Sequence, residues 1–274
     1  MLAPRPPGGP APRLGSETDS RIALARWLTT ENRQFARNLV NRIWFHLLGR
    51  GIVEPVDDFR ESNPPSNPEL LDALTEAFVA NGYRLRPVVR MILESQTYQL
   101  DSTPNDTNRE DEVNFSRYPV RLLSAEVLAD ALGQAVGESA RFANAPRGLS
   151  HVQLPGARMG GPLLKAFGKP DRLLTCECER SEATTLSQAF QLINGEQIRA
   201  ELESSDNRIG RLLESHASPE AILDELTLAA LSRKPTATET SAFLAHVKRA
   251  KDARRAWEDV AWAILNSKEF LLRH

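Results

Sequence analysis

The largest group of side chains suited to ligand binding lies between residues 37 and 58. Guanidinium and amide groups together with a histidine could form a pocket for an anion or a sugar, with His46 as the proton carrier. The same groups could instead pin a loop to a helix through buried, charged hydrogen bonds. We favour this structural interpretation, because ion-pair networks often imitate functional sites. This polar cluster comprises Arg37, Asn38, Asn41, Arg42, His46, Asp57 and Asp58, to which we add Arg180.

Helical spacing would bring part of the polar cluster together. Residues four apart lie on one face of a helix, so Asn38 and Arg42 can point in the same direction. Gly49 and Gly51 then end the helix and allow the chain to reverse. We therefore expect residues 38 and 42 to face Asp57 and Asp58.

The two cysteines of the chain, Cys176 and Cys178, are separated by one residue. A disulfide across such a short loop is strained, and strained disulfides are labile redox pairs. The plainer interpretation, which we favour, is two small residues in a loop. A structural zinc typically needs four ligands, so we expect no metal. The remaining candidate ligands, none paired with another at a ligand spacing, are His46, His151, His216, His246 and His274.

Two further groups of acidic residues suggest chemistry, and each has a plainer explanation. Residues 101–112 carry the oxygen ligands that calcium prefers, but the glycine of an EF-hand loop is missing, so a solvated loop is expected. Glu126 and Asp130 are spaced as a carboxylate pair for glycoside chemistry, but the arginines nearby favour salt bridges. The first group is Asp101, Asp106, Asn108, Glu110, Asp111 and Glu112; the second also contains Arg121, Arg172, Glu177, Glu179 and Arg180.

The elements that must position these residues are helices. Leu and Ala number 68, whereas the β-branched Val and Ile number 22, and this bias favours helices over sheets. Apolar residues recur at helical spacing along most of the chain, and no alternation of strands with helices is present. The sequence predicts a mainly α fold, an irregular multi-helix bundle with a long Gly/Pro-rich ordered loop segment.

The domain organisation follows from where the helical pattern is interrupted. Residues 1–18 are rich in Pro and Gly and indicate a linker. We assign 19–274 to a single helical domain; the alternative is a subdivision into 19–136 and 186–274, joined by the irregular segment 137–185. Within it, residues 146–180 are too apolar for a free linker, so we expect them to pack on the helices.

Several stretches of the chain resemble a planctomycete-type family, domain of unknown function 1553, over roughly residues 20–274. The most extended match is residues 35–59, FARNLVNRIWFHLLGRGIVEPVDDF. Shorter matches are NPPS at 63–66, SQTY at 95–98, RLLSAE at 121–126, CECER at 176–180 with Gln188 and Asn194, and NSKEF at 266–270. The resemblance implies a module of a large, exported polypeptide that also carries cytochrome c-like domains. It implies an extracytoplasmic location and no particular activity.

Composition and motifs exclude several classes of protein. A net charge of -2 argues against a strongly basic nucleic-acid module, and no stretch has the apolar length of a membrane helix. No apolar signal-peptide region is visible at the start. The chain lacks a Cys-x-x-Cys-His motif, so we expect no cofactor in it, with haem only on a separate upstream cytochrome domain.

Two functional hypotheses follow. In the first, the chain is a non-catalytic helical module that docks or scaffolds; its partners would be other domains of the same polypeptide or a cytochrome c-like protein. In the second, it is an enzyme or a ligand-binding domain for carbohydrate or another anionic substrate. The site would then lie between the polar cluster, around Arg42 and Asp58, and residues 146–180. A pocket lined by the cluster would favour the second hypothesis, and a cluster filled by salt bridges the first.

Overall fold

Helices dominate the part of the chain that the structure, a computed structural model, describes, and the mainly α prediction is confirmed. The described residues are 19–138, 142, 146, 148–154, 161–169, 188, 191 and 195–273. Their contacts divide the chain into two compact units, which meet in sequence at Val120 and Arg121. This boundary precedes the 137–185 segment named above, and the assignment of 19–274 to one domain stays a prediction.

The first unit is built on three longer helices. Asn32 caps α2 by accepting a hydrogen bond from the backbone N–H of Gln34, and Gly49 ends it in a left-handed conformation. The sequence offers Ser66 and Asn67 as cap candidates before Pro68; Asn67 is the cap of α3, and Pro68 lies in its first turn. The elements are α1 (Ser20–Arg26), a π-helical turn (Trp27–Glu31), α2 (Arg33–Leu48), α3 (Pro68–Ala80) and α4 (Leu85–Leu93).

One apolar core holds the first unit together. It is formed by one face of α2 against α3 and α4, and Tyr118 closes it by donating its hydroxyl to the carbonyl oxygen of Leu47, 3.1 Å away. The buried apolar residues are Ala36, Val40, Trp44, Leu48, Ile52, Val53, Leu71, Leu74, Phe78, Val88 and Ile92. Burying one such large side chain contributes about 1.5–3 kcal/mol, so this core is the main stabilising force of the unit.

The second unit opens and closes with a short strand. In β1, Arg121 pairs with Arg273 and Leu122 pairs with Leu272 of β2, in antiparallel order. The sequence predicts a helix from Arg121, whereas α5 begins at Ala125. The elements are β1 (Arg121–Leu122), α5 (Ala125–Val136), a 3-10 turn (His151–Gln153), α6 (Gly161–Ala166), α7 (Glu196–Glu203), α8 (Arg208–Glu214), α9 (Pro219–Leu231), α10 (Ala237–Arg249), α11 (Ala253–Leu265), α12 (Lys268–Leu271) and β2 (Leu272–Arg273).

The core of the second unit surrounds α5. Leu128 and Leu132 of this helix are almost fully buried, and so is Trp257 of α11. Part of the Gly/Pro-rich segment belongs to the same core, because Leu154 and the α6 residues Leu163 and Leu164 are buried in it. The described part of residues 146–180 is therefore packed, as expected. None of the described helices combines the length and the apolar character needed to cross a bilayer.

Candidate functional site

Asn41 is the centre of the polar cluster and is completely buried on α2. Its amide Nδ2 donates to the carbonyl oxygens of Val53 and Val56, both at 2.9 Å. Its Oδ1 accepts from the backbone N–H of Val53, also at 2.9 Å. A Cβ on residue 51 would lie 2.2 Å from the Val53 carbonyl oxygen, so this close approach requires Gly51. The amide of Asn41 therefore uses its hydrogen bonds to hold the loop after α2 in place.

Asn38 and Arg42 lie on the same helix face and both bind Asp57. Arg42 Nη1 lies 3.1 Å from Asp57 Oδ1, and Asn38 Nδ2 lies 3.3 Å from the same oxygen. The side chains of Arg42 and Asp57 are 29% and 37% exposed, so water screens the pair. The expected approach of residues 38 and 42 to Asp57 is thus present, at the surface rather than in the interior.

Asp58 is used within the loop itself. Arg60 Nε and Nη2 donate to its two oxygens at 2.7 and 2.6 Å. These hydrogen bonds hold the pKa of Asp58 below its usual range and raise the pKa of Arg60. Asn63 adds a further tie by donating to the carbonyl oxygen of Asp58 at 2.8 Å.

Among the remaining members of the cluster, Arg37 binds a carboxylate other than Asp57. Arg37 Nε lies 3.4 Å from Asp72 Oδ1 on α3, an ion pair that joins the two helices. His46 is exposed on α2, with its ring edge-on to that of Phe45. Arg180 lies outside the described residues. The alternative site between this cluster and residues 146–180 would involve both units and undescribed residues, so it stays a prediction.

In the acidic loop at 101–112, the Asp111 side chain binds the backbone of the residues that follow it. The Asp111 carboxylate accepts from the hydroxyl of Ser116 at 2.5 Å and from the backbone N–H groups of Val113, Asn114 and Ser116. The Ser116 hydrogen bond is the largest cause that holds the pKa of Asp111 well below its usual range. Asp106, Glu110 and Glu112 are exposed. Among the described residues, no group of three His, Cys, Asp or Glu side chains could hold a metal.

Glu126 and Asp130, one turn apart on α5, each meet a buried basic residue. His151 Nδ1 lies 2.8 Å from Asp130 Oδ1, and the backbone N–H of His151 donates to the same oxygen at 2.7 Å. Lys169 Nζ, whose side chain is 2% exposed, lies 4.0 Å from Glu126 Oε1. The two carboxylates thus have different described partners, and these are His151 and Lys169 rather than the arginines named in the sequence interpretation.

Lys169 also closes the 3-10 turn that carries His151. Its Nζ donates to the carbonyl oxygens of His151 and Leu154, both at 3.1 Å. The ring of Phe142 packs edge-on against His151, with centroids 4.9 Å apart. A carboxylate on Nδ1 orients an imidazole as in many catalytic sites, but the contacts of His151 with Asp130 and of Lys169 with Glu126 also fasten the Gly/Pro-rich segment to α5.

Sequence reasoning missed the roles of Lys169 and His151. Both residues lie in a segment without periodicity, and each finds its partner on a helix about 20 to 40 positions earlier in the chain. The cysteine pair Cys176 and Cys178 and the residues Arg172, Glu177 and Glu179 lie outside the described residues. The redox-pair hypothesis therefore stays a prediction.

Comparison with known proteins identifies a family. No curated protein and no solved structure matches the chain. A family model described as "Protein of unknown function (DUF1553)" matches residues 20–247, which is well over half of the chain. The motifs quoted above, from the FARNLVNRIW stretch on α2 to the cysteine segment, lie within this match. The chain belongs to the DUF1553 family.

Proposed function

We propose that this chain is a non-catalytic helical module of a large exported protein, and that it docks against cytochrome c-like domains of the same polypeptide or a cytochrome c-like partner. Its location would be extracytoplasmic. Haem would be held by the partner, because this chain has no Cys-x-x-Cys-His motif. In this proposal the polar residues of the family signature stabilise the module instead of converting a substrate.

The observation that carries the proposal is the state of the polar cluster. Asn41 makes three hydrogen bonds to the loop. The carboxylate of Asp57 accepts hydrogen bonds from Asn38 and Arg42, and that of Asp58 accepts one from Arg60. A substrate would have to displace these contacts before it could use the same groups. Side chains that satisfy each other are typical of structural networks, whereas sites keep donors or acceptors available for a ligand.

The partner assignment rests on the resemblance of the chain to planctomycete-type proteins with cytochrome c-like domains. A near-neutral net charge of -2 is compatible with docking that does not rely on long-range steering. Interfaces between domains of one polypeptide typically bury about 600–1,500 Å². Such an area is within reach of a helical module of this size.

A calorimetric titration tests the proposal. The purified chain is titrated with a Cys-x-x-Cys-His domain encoded in the same reading frame or beside it. The expected result is a 1:1 complex with a dissociation constant of about 1 μM or tighter, equivalent to about 8 kcal/mol. An unrelated c-type cytochrome serves as the control for non-specific association. Absence of saturable heat up to about 1 mM would exclude the proposed docking.

A further inference from the structure

The first unit contains a cavity at the end of α2, separate from the polar cluster. Its volume is about 210 Å³, and its lining combines four charged residues with an apolar wall. This volume is more than ten times the roughly 10–15 Å³ that a single water needs. It suits a small molecule and is too small to enclose a polymer segment. The lining residues are Arg50, Asp111, Glu112, Phe115, Arg117, Pro119 and Val120.

Two guanidinium groups, those of Arg50 and Arg117, line this cavity. Among the described residues, no carboxylate oxygen forms a salt bridge with Arg50 or Arg117, although Asp111 and Glu112 share the lining. Arg50 Nε is buried and has no hydrogen-bond partner in the described part of the chain. The only described bond of Arg117 runs from Nε to the carbonyl oxygen of Asn108 at 3.4 Å. Because Arg50 Nε has almost no accessible surface, a ligand in the cavity would meet the terminal Nη groups of Arg50 and Arg117 rather than this buried atom.

The two acidic residues of the lining, Asp111 and Glu112, differ in how much hydrogen bonding their carboxylates already have. Both oxygens of Asp111 accept hydrogen bonds from residues 113, 114 and 116, and this carboxylate is thereby committed to the shape of the loop. Glu112 is exposed and also lines the cavity. A ligand with two negative charges would be repelled by Glu112, whereas a single carboxylate would meet two arginines at a smaller penalty.

The apolar side of the cavity is held in a defined position. Phe115 has a positive φ of 55°, and its ring meets that of Trp44 edge-on at 5.3 Å. Positive φ is costly for an aromatic residue and is maintained where the surroundings fix it. Here the bonds of Asp111 to the residues on both sides of Phe115 hold this backbone, so the ring of Phe115 is fixed at the cavity beside Pro119 and Val120.

We propose that this cavity binds a small monocarboxylate with an apolar body. The carboxylate would accept hydrogen bonds from Arg50 and Arg117, whose planar guanidinium groups match its geometry. The apolar body would lie against Phe115, Pro119 and Val120. This site does not overlap the polar cluster, and the docking function proposed above does not depend on it.

Titration of the unmodified chain with three probes tests the ligand class. The probes are benzoate, its uncharged analogue benzamide, and inorganic phosphate, and binding is followed by calorimetry. Benzoate should bind saturably, and benzamide and phosphate at least about tenfold more weakly. Equal binding of benzamide would show that the arginines play no part, and tighter phosphate binding would exclude the monocarboxylate class. Absence of saturable benzoate binding would overturn the proposal.

Substitutions locate the site. Arg50→Gln and Arg117→Gln should each weaken benzoate binding at least about tenfold, because each removes a charged donor. Arg90→Gln is the matched control, since Arg90 is an exposed arginine of α4 outside the cavity. Thermal unfolding verifies that each variant is folded. If Arg50→Gln does not fold, Arg117→Gln and the comparison with benzamide show whether the arginines of the cavity bind benzoate. Unchanged benzoate affinity in both folded pocket variants would overturn the assignment.

Discussion

At the scale of single residues, the stability of the first unit depends more on a buried amide than on exposed charges. Asn41 is 0% exposed and bonds three backbone groups of the following loop. Arg42, one position later, forms an ion pair whose members are 29% and 37% exposed. Burial makes the difference, because an unpaired group in the interior keeps its desolvation cost and an exposed one is rehydrated.

Asn41→Ala should lower the free energy of unfolding by about 3–5 kcal/mol, because three backbone groups lose their partner in the interior. Urea denaturation of the purified chain measures the change. Asn38→Ala on the same helix is the control, with an expected loss of about 0.5 kcal/mol from one long hydrogen bond at the surface. Equal losses in the two variants would contradict the structural role of Asn41.

Arg42→Ala should lower the free energy of unfolding by at most about 1 kcal/mol, the usual worth of an exposed ion pair. A buried pair would cost about 3–5 kcal/mol, so the exposure of Arg42 and Asp57 decides between the two values. Because salt screens exposed charges, the loss should shrink further in about 1 M NaCl. A loss of several kcal/mol that does not respond to salt would contradict this assignment.

At the scale of helices, Arg233 joins three elements of the second unit. It follows α9 and donates to both oxygens of Glu239 on α10 and to both oxygens of Glu269 on α12. Glu239 also accepts from the backbone N–H of Thr236, which completes the capping box of α10. These bonds, those of Arg233 first, lower the pKa of Glu239 to about 2.

Acid should weaken this junction. The folded pKa of Glu239 lies below its ordinary value of 4.5, so its stabilising contribution is present above pH 4.5 and is lost as the pH falls toward about 2. Unfolding free energies at about pH 6 and about pH 3 measure the loss, and Glu239→Gln should reduce it. Glu214→Gln, at the exposed end of α8, is the control. An undiminished pH dependence in Glu239→Gln would contradict the prediction.

The junction between α5 and the Gly/Pro-rich segment depends on Lys169. Lys169→Met should lower the free energy of unfolding by about 3–5 kcal/mol, since buried Glu126 loses a cationic partner and two carbonyl oxygens lose a donor. Lys165→Met on the exposed face of α6 provides the comparison, with an expected change of about 0.5 kcal/mol or less. Limited proteolysis should cleave the Lys169 variant faster near residues 151–169. Matching stability and cleavage in the two variants would disprove this role.

Local signals in the sequence were enough to predict the helical fold and several helix ends. Asn67 with Pro68, Ser218 with Pro219, and the capping box of Thr236 are found where their residue types predict them. These devices act within four residues, so they are visible without tertiary information. The pattern of α2 likewise predicts that Asn38 and Arg42 face Asp57 and Asp58. The structure gives their contacts with Asp57, whereas Asp58 binds Arg60.

Contacts between distant residues could not be predicted in this way. β1 forms because Arg121 and Leu122 pair with residues about 150 positions later in the chain. No local pattern in the sequence predicts such a partner. The pairing of Lys169 with Glu126 is equally invisible in a local pattern. So is the absence of a hydrogen-bond partner for Arg50 Nε in the described part of the chain. The spacing of residues in the sequence also does not show how exposed Arg42 is. That exposure determines how much its ion pair contributes to the free energy of unfolding.

At the scale of the whole molecule, the chain should carry no covalent haem. Covalent attachment of c-type haem uses a Cys-x-x-Cys-His motif, which the 274 residues lack. The expected result is the absence of a Soret band after acid–acetone extraction of the purified chain, with the cytochrome c-like domain as the positive control. A Soret band that survives extraction from this chain would contradict the division of labour between module and haem-bearing partner.

Amide hydrogen–deuterium exchange is the decisive test of whether this DUF1553 chain docks on a cytochrome c-like domain. Exchange is compared for the chain alone and with the Cys-x-x-Cys-His domain added, because an interface protects amides whatever its chemistry. We expect slower exchange over one contiguous surface of about 800 Å², with no protection from an unrelated cytochrome. Identical exchange in every peptide, with both proteins folded and at concentrations above about 100 μM, would contradict it.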